Sequence, residues 1–322
     1  MQGVSHKATQ FLSYPIKILI LVATLFFVGK RLTQDTIPIL ENFKDDFVSI
    51  FTYSNIAILL LLSILNWFFE ILKWKTLASH CQVISTKESL KQVLKAHITS
   101  LITPAKIGEY GAKALFFPAH QRKQILFLTL LGNGYQMLAT TIFGSIGIGV
   151  CVFLLFPSFG WYYILACVLG IPLLYITPQI LDKIRWSVKG YSWQRIRQFM
   201  KTIASPIKQN AWIFSLIRYL LFAHQFYFLL LVFQVDVSYP LGMGLIATMY
   251  LVSSLIPMLQ LFDVVIKTGV AVYIFSWIAV PEIIMVAITF LMWFFNVVLP
   301  ILPGSYFIMI DTTLTRKKTS AL

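Results

Sequence analysis

Ser100-Leu101-Ile102-Thr103-Pro104-Ala105-Lys106-Ile107-Gly108-Glu109-Tyr110-Gly111 places one proline, two glycines and two charges inside a chain otherwise built for lipid. Pro104 removes a backbone donor, and Gly108 and Gly111 permit tight turns. A partial echo returns in the second half as Ser254-Leu255-Ile256-Pro257, followed by Asp263, Lys267 and Gly269. Interrupted apolar segments at corresponding points of two halves point to a transporter's binding site.

Upstream of the first break, Glu88 to Leu101 reads as an amphipathic helix with lysines at 87, 91 and 95. A second short helix, from about Tyr110 to Phe117, brings the chain back. Basic residues flank both ends, so this element enters and leaves on the same side. Non-helical backbone at membrane depth is tolerated only when buried in protein or lining a wet cavity, which predicts a re-entrant hairpin. In the second half, Gly242 to Ile256 is apolar but short, Pro257 breaks it, and Val270 to Ile278 is too short to cross alone. Asp236 and Glu282 sit at the opposite face, so this second hairpin enters from the other side. One hairpin from each side is the pattern of an inverted repeat.

Composition fixes the class around these two elements. Hydrophobic residues make up 58% and charged residues 12% of 322 positions, against about 45–50% and about 25% in a soluble domain. Mean hydropathy is +0.79. The prediction is an all-α polytopic membrane bundle: six spans at about 14–32, 54–74, 124–155, 159–177, 211–234 and 282–310, plus the two hairpins. One integral membrane domain, 1–322, is expected. Its first half is about 10–177 and its second about 211–312, joined by a basic segment, 178–210. The first span is read as retained, because Lys30-Arg31 rather than a small-residue cleavage site follow Val28.

The formal charge of +14 is placed as a membrane protein places it. Nine basic residues lie between Lys73 and Lys123, seven lie in 178–210, and Arg316, Lys317 and Lys318 close the chain. Segment 33–53 instead carries Asp35, Glu41, Asp45 and Asp46 against one lysine. The positive-inside rule puts both termini and both basic segments in the cytoplasm of a cell with this protein in its cytoplasmic (inner) membrane. Basic loops beside anionic lipid explain the charge without nucleic acid. Cys81, Cys151 and Cys167 form no CxxC, and the five histidines form neither HExxH nor HxH. No metal, cofactor or enzymatic activity is expected from them.

Glu70-Ile71-Leu72-Lys73-Trp74 followed by Leu101-Ile102-Thr103-Pro104-Ala105-Lys106-Ile107-Gly108-Glu109 resembles the transmembrane region of the lysylphosphatidylglycerol synthase family, also called the flippase-like domain or UPF0104-type integral membrane proteins. The resemblance covers about residues 10–312 and implies a flippase-like membrane domain. Ala105 and Lys106 stand where that pattern has Gly and Arg, and its second Gly-rich turn is reduced to Leu261 to Gly269. Lysine keeps a point charge there but loses bidentate clamping of phosphate. Some members append a cytoplasmic aminoacyl-transferase domain. These 322 residues hold none, so lipid aminoacylation is not expected of them.

Ionisable groups inside a bilayer are functional hypotheses by default. The substrate-binding set is Lys106, Glu109, Asp263, Lys267, Arg218 and Gln225, with Pro104, Gly108, Gly111, Pro257 and Gly269 forming the hairpin breaks. Glu109 with Lys106, and Asp263 with Lys267, also suit self-neutralised pairs that only hold their hairpins. Glu70 and Lys73 are expected to neutralise one another near the interface, and Asn66, Asn133, Gln136 and Asn296 to make helix contacts. The expected function is translocation of a polar lipid headgroup, phospholipid or glycolipid, with membrane lipid as the partner. No GxxxxGK[ST] phosphate loop is present. A polytopic transferase on lipid-linked substrate, or a non-transporting scaffold, stays open.

Overall fold

The computed structural model describes residues 51–101, 103, 106–159, 162, 187–188, 191–256 and 262–309. The expected spans 14–32 and 159–177 fall almost wholly outside them, as do Pro104 and Pro257. The regular structure among the described residues is helical apart from Ser187–Val188 (β1) and Tyr191–Ser192 (β2), which pair antiparallel.

Four long apolar elements frame the molecule. They are α1 (Tyr53–Ala78), α4 (Arg122–Leu155), α6 (Ser205–Val232) and the run Glu282–Met309, each long and apolar enough to cross a membrane. Between α1 and α4 lie α2 (Thr86–Leu101) and α3 (Ile107–Leu115). Between α6 and the last run lie α7 (Tyr239–Ser254) and α8 (Asp263–Phe275). Both helix pairs pack on themselves as hairpins. A short amphipathic helix, α5 (Trp193–Thr202), precedes α6 and lays Phe199 against Phe127.

Local chemistry explains the boundaries. Ser85 and Glu88 form a reciprocal capping box at the start of α2: the Ser85 N–H donates to Glu88 Oε2 at 2.8 Å and the Glu88 N–H to Ser85 Oγ at 3.2 Å. That backbone N–H holds the exposed Glu88 carboxyl below its ordinary range. Helix α2 then buries Ser89, Gln92, Val93, Ala96, His97 and Ser100, one helical stripe, against its neighbours. The two short return helices begin earlier than the apolar runs predict, at Ile107 rather than Tyr110 and at Asp263 rather than Val270. Each therefore has an acid in its first turn, where the helix dipole favours negative charge.

Gly108 and Gly111 consequently lie within α3 rather than in the turn. Gly108 is needed for close approach, because a Cβ there would overlap the Thr99 carbonyl oxygen. Gly111 faces open space. Along α4, Gly144 and Gly147 let α7 pack closely, with Leu251 and Ala247 against them.

The last run opens as α9 (Glu282–Trp293) and passes through a π-helical turn, Phe294–Val298, closed by the Leu299 N–H on the Phe294 carbonyl at 2.9 Å. Three carbonyls in that turn accept side-chain donors from elsewhere. Ser63 Oγ donates to Phe295 at 2.7 Å and Trp67 Nε1 to Asn296 at 3.2 Å, while His97 Nε2 meets Val297 at 2.9 Å.

Candidate functional site

One face of α1 carries Ser63, Asn66, Glu70, Lys73 and Trp74 at helical spacing, all buried. Glu70 is the hub. Lys73 Nζ lies 2.7 Å from its Oε2, Arg218 Nη1 of α6 donates to the same oxygen, and Lys113 Nζ of α3 stands 3.8 Å from Oε1. Arg218 Nε also donates to the Asn66 carbonyl and to Asn66 Oδ1, both at 3.1 Å, and Nη1 reaches Gln136 Oε1 at 3.3 Å. Asn66 Nδ2 donates to Asn296 Oδ1 at 3.0 Å, and Asn296 Nδ2 to Gln225 Oε1 at 2.8 Å. Gln225 in turn donates to the Leu59 carbonyl at 3.1 Å. A single polar chain thus joins α1, α4, α6 and the π-helical turn.

The first hairpin is attached to this hub through Lys113. Lys113 Nζ sits 2.6 Å from Glu109 Oε1 and 4.4 Å over the Trp74 ring. The ion pair of Glu109 is therefore with the lysine four residues after it, not with Lys106. Lys106 caps α3 in the left-handed region (φ 58°) and is exposed, an uncommon conformation for a residue with a Cβ. Threonines lace the hairpin tip: Gly108 N–H donates to Thr103 Oγ1 at 2.8 Å, Thr103 Oγ1 to the Thr99 carbonyl at 3.1 Å, and Thr99 Oγ1 to the Gly108 carbonyl at 3.0 Å.

The second hairpin carries an acid and a lysine at the same spacing. Lys267 Nζ lies 2.5 Å from Asp263 Oδ2, one helical turn along α8, and 5.9 Å over the Tyr250 ring of α7. The side chains of this pair are 37% and 31% exposed, against 3% and 13% for Lys113 and Glu109. Gly269 is buried within α8.

Both hairpins border one cavity of about 340 Å³. Five of the six predicted site residues line it: Lys106, Glu109, Arg218, Asp263 and Lys267. Gln225 does not, and holds the wall through Asn296. Glu70, His97, Gln136, Tyr250 and Trp293, which carry no site signal in the sequence, also line the cavity. Lys73 and Lys113 stand directly behind its wall through their ion pairs. Within this group five cations, Lys73, Lys106, Lys113, Arg218 and Lys267, face three carboxylates, Glu70, Glu109 and Asp263, leaving two positive charges in surplus. Two buried donors on lining residues, Gln136 Nε2 and Trp293 Nε1, have no acceptor among the described residues. Arrangements of this kind suit an anionic, acceptor-rich ligand, because each unmatched buried donor costs about 1–3 kcal/mol. No protein-family model matches the chain, and no curated protein matches it.

Proposed function

We propose that this membrane protein carries a polar lipid headgroup, phosphate-bearing and anionic, between leaflets through the cavity bordered by its two hairpins. The observation that carries this is the meeting of both hairpin ion pairs at one cavity with surplus positive charge and unmatched donors. Phosphate oxygens would accept from Gln136 and Trp293 and be held by Lys106, Lys267 and Arg218, while the acyl chains stay in the bilayer. An organisation as six spans and two re-entrant hairpins in an inverted repeat, with both termini cytoplasmic, belongs to the same proposal.

Matching packing supports that repeat. Each half runs long helix, two-helix hairpin, long helix, and α1 packs on α6. Helix α3 packs on α4 as α8 does on α9, and α1 on α2 as α6 does on α7. Rocking of one half against the other would alternate access to the shared cavity. Membership of the lysylphosphatidylglycerol synthase transmembrane family is part of this proposal and rests on residues 70–74 and 101–109.

Leaflet exchange of fluorescent phospholipids in liposomes holding the purified protein tests it. Wild type is expected to accelerate exchange, and Lys106→Gln, at an exposed position, to lose most of that acceleration. Glu109→Gln should lose it too, but it touches the buried hub, so Lys106→Gln is the cleaner variant. Exchange equal to protein-free liposomes for zwitterionic, anionic and aminoacylated lipids would remove the carrier function.

A further inference from the structure

We propose that α2 carries a second lipid site, a lysine ladder that binds anionic phospholipid headgroups and leads them from the membrane surface to the cavity mouth. Lys87, Lys91 and Lys95 follow one another at i, i+4 and i+8. They rise about 6 Å per step along the helix, with about 40° of drift. Lys87 is exposed, and Lys91 and Lys95 are half-buried. The face of α2 opposite the ladder is the buried stripe Ser89, Val93, Ala96 and Ser100, and Leu94 is buried beside the lysines.

Aromatic rings flank the ladder on both sides. Lys91 Nζ lies 5.9 Å over the Phe307 ring of the terminal segment 301–309, and Lys95 Nζ 5.8 Å over the Phe116 ring at the end of α3. A close approach fixes the first wall: a Cβ on Gly304 would meet the Leu94 carbonyl oxygen at 2.9 Å. Three residues along each antiparallel partner, Lys91 and Phe307 come face to face. Lys91 and Lys95 thus each lie beside an aromatic ring, and their long aliphatic stems suit lipid.

Charge complementarity selects the occupant. Glu88, the acid beside the ladder, accepts from the Ser85 N–H of the capping box and also interacts electrostatically with Lys91, leaving three lysines against one acid. Further along the chain than Lys95, Lys106 at the hairpin tip is both exposed and lining the cavity. A ladder of cations beside aromatic rings, in a hairpin whose tip lines a cavity with surplus positive charge, fits an anionic phospholipid of the adjacent leaflet. Its destination, though not its binding, rests on the carrier function proposed above.

The test places the photocrosslinking residue p-benzoylphenylalanine at position 307 of the full chain. Nanodiscs of phosphatidylcholine doped with phosphatidylglycerol then report, by mass spectrometry, which lipid is captured. Phosphatidylglycerol is expected to be enriched about fivefold over its share, the factor that one lysine near a membrane surface contributes. The triple variant Lys87→Gln, Lys91→Gln, Lys95→Gln should abolish the enrichment, and the triple arginine variant should keep it. Equal enrichment in wild type and the glutamine variant, or none in either, overturns the ladder. Enrichment in wild type without leaflet exchange keeps the ladder and removes the carrier function, whereas exchange without enrichment removes the ladder alone.

Discussion

The two hairpins carry the same ion pair at the same helical spacing and hold it in opposite ways. Lys113 is buried, linked to Glu70 and set over the Trp74 ring, and Glu109, its partner, is only 13% exposed. Asp263 and Lys267 are about one-third exposed, and Lys267 has only the Tyr250 ring across from it among the contacts described. Threonine hydrogen bonds close the tip of the first hairpin, and Gly108 lets its two helices touch. Links to Glu70 and Trp74 turn the first pair into a fastening that presents only Glu109 to the cavity, while the second presents both of its residues to it. The same two residue types therefore serve two purposes, and what separates them is the partner behind: a polar face of α1 in one case, the open cavity in the other.

The sharpest way to break this contrast is Glu70→Gln. It leaves Arg218, Lys73 and Lys113 buried around a neutral amide, and loss of about 3–5 kcal/mol is expected. Reversible unfolding in mixed micelles would show it, and an unchanged midpoint would mean that the hub fastens nothing. Gly108→Ala comes next, because the added methyl must push α3 from the Thr99 carbonyl. About 1–3 kcal/mol should go, together with protease protection of the first hairpin.

Asp263→Asn and Lys267→Gln are expected to change stability by less than about 1 kcal/mol, as for exposed pairs. Their effect belongs instead in leaflet exchange. If either variant unfolds as readily as Glu70→Gln, the two hairpins are not different in kind. An effect of opposite sign is expected at Lys106. Lys106→Gly relieves a left-handed backbone and should raise stability by about 1 kcal/mol, while slowing exchange through loss of the charge. A variant that is both more stable and slower would separate the tip's conformation from its chemistry.

How much of this was legible in the sequence follows from how local each signal is. Four apolar runs and both hairpins could be read from hydropathy and from proline and glycine, and the described spans differ by a few residues at their ends. Asp263 with Lys267 was legible because both sit in one helix. The sequence offers Glu109 the lysine three residues before it, Lys106. With α3 starting at Ile107, the helix brings Lys113 over Glu109 and turns Lys106 outward. Glu70 pointed to Lys73 three residues on, and nothing local announced Arg218, which lies 148 residues away. The sequence marks Asn296 for helix contact and Gln225 for substrate, but that the two join each other, and reach Arg218 through Asn66, is long-range geometry.

The π-helical turn at Phe294–Val298 has a consequence for insertions and deletions. A π-turn spreads its bonds over i→i+5, so the last run holds about one residue more than an α-helix needs to keep the faces on either side in phase. Deleting one residue between 294 and 298 should straighten the helix while leaving Met285 and Phe307 on their present faces. A deletion elsewhere in the run would rotate everything beyond it by about 100°. The deletion would also withdraw the carbonyls that receive Ser63, Trp67 and His97. The extra residue is thus an anchorage for three side chains from two other helices, and a chain shortened within this turn can still thread the bundle while losing its grip on the first half.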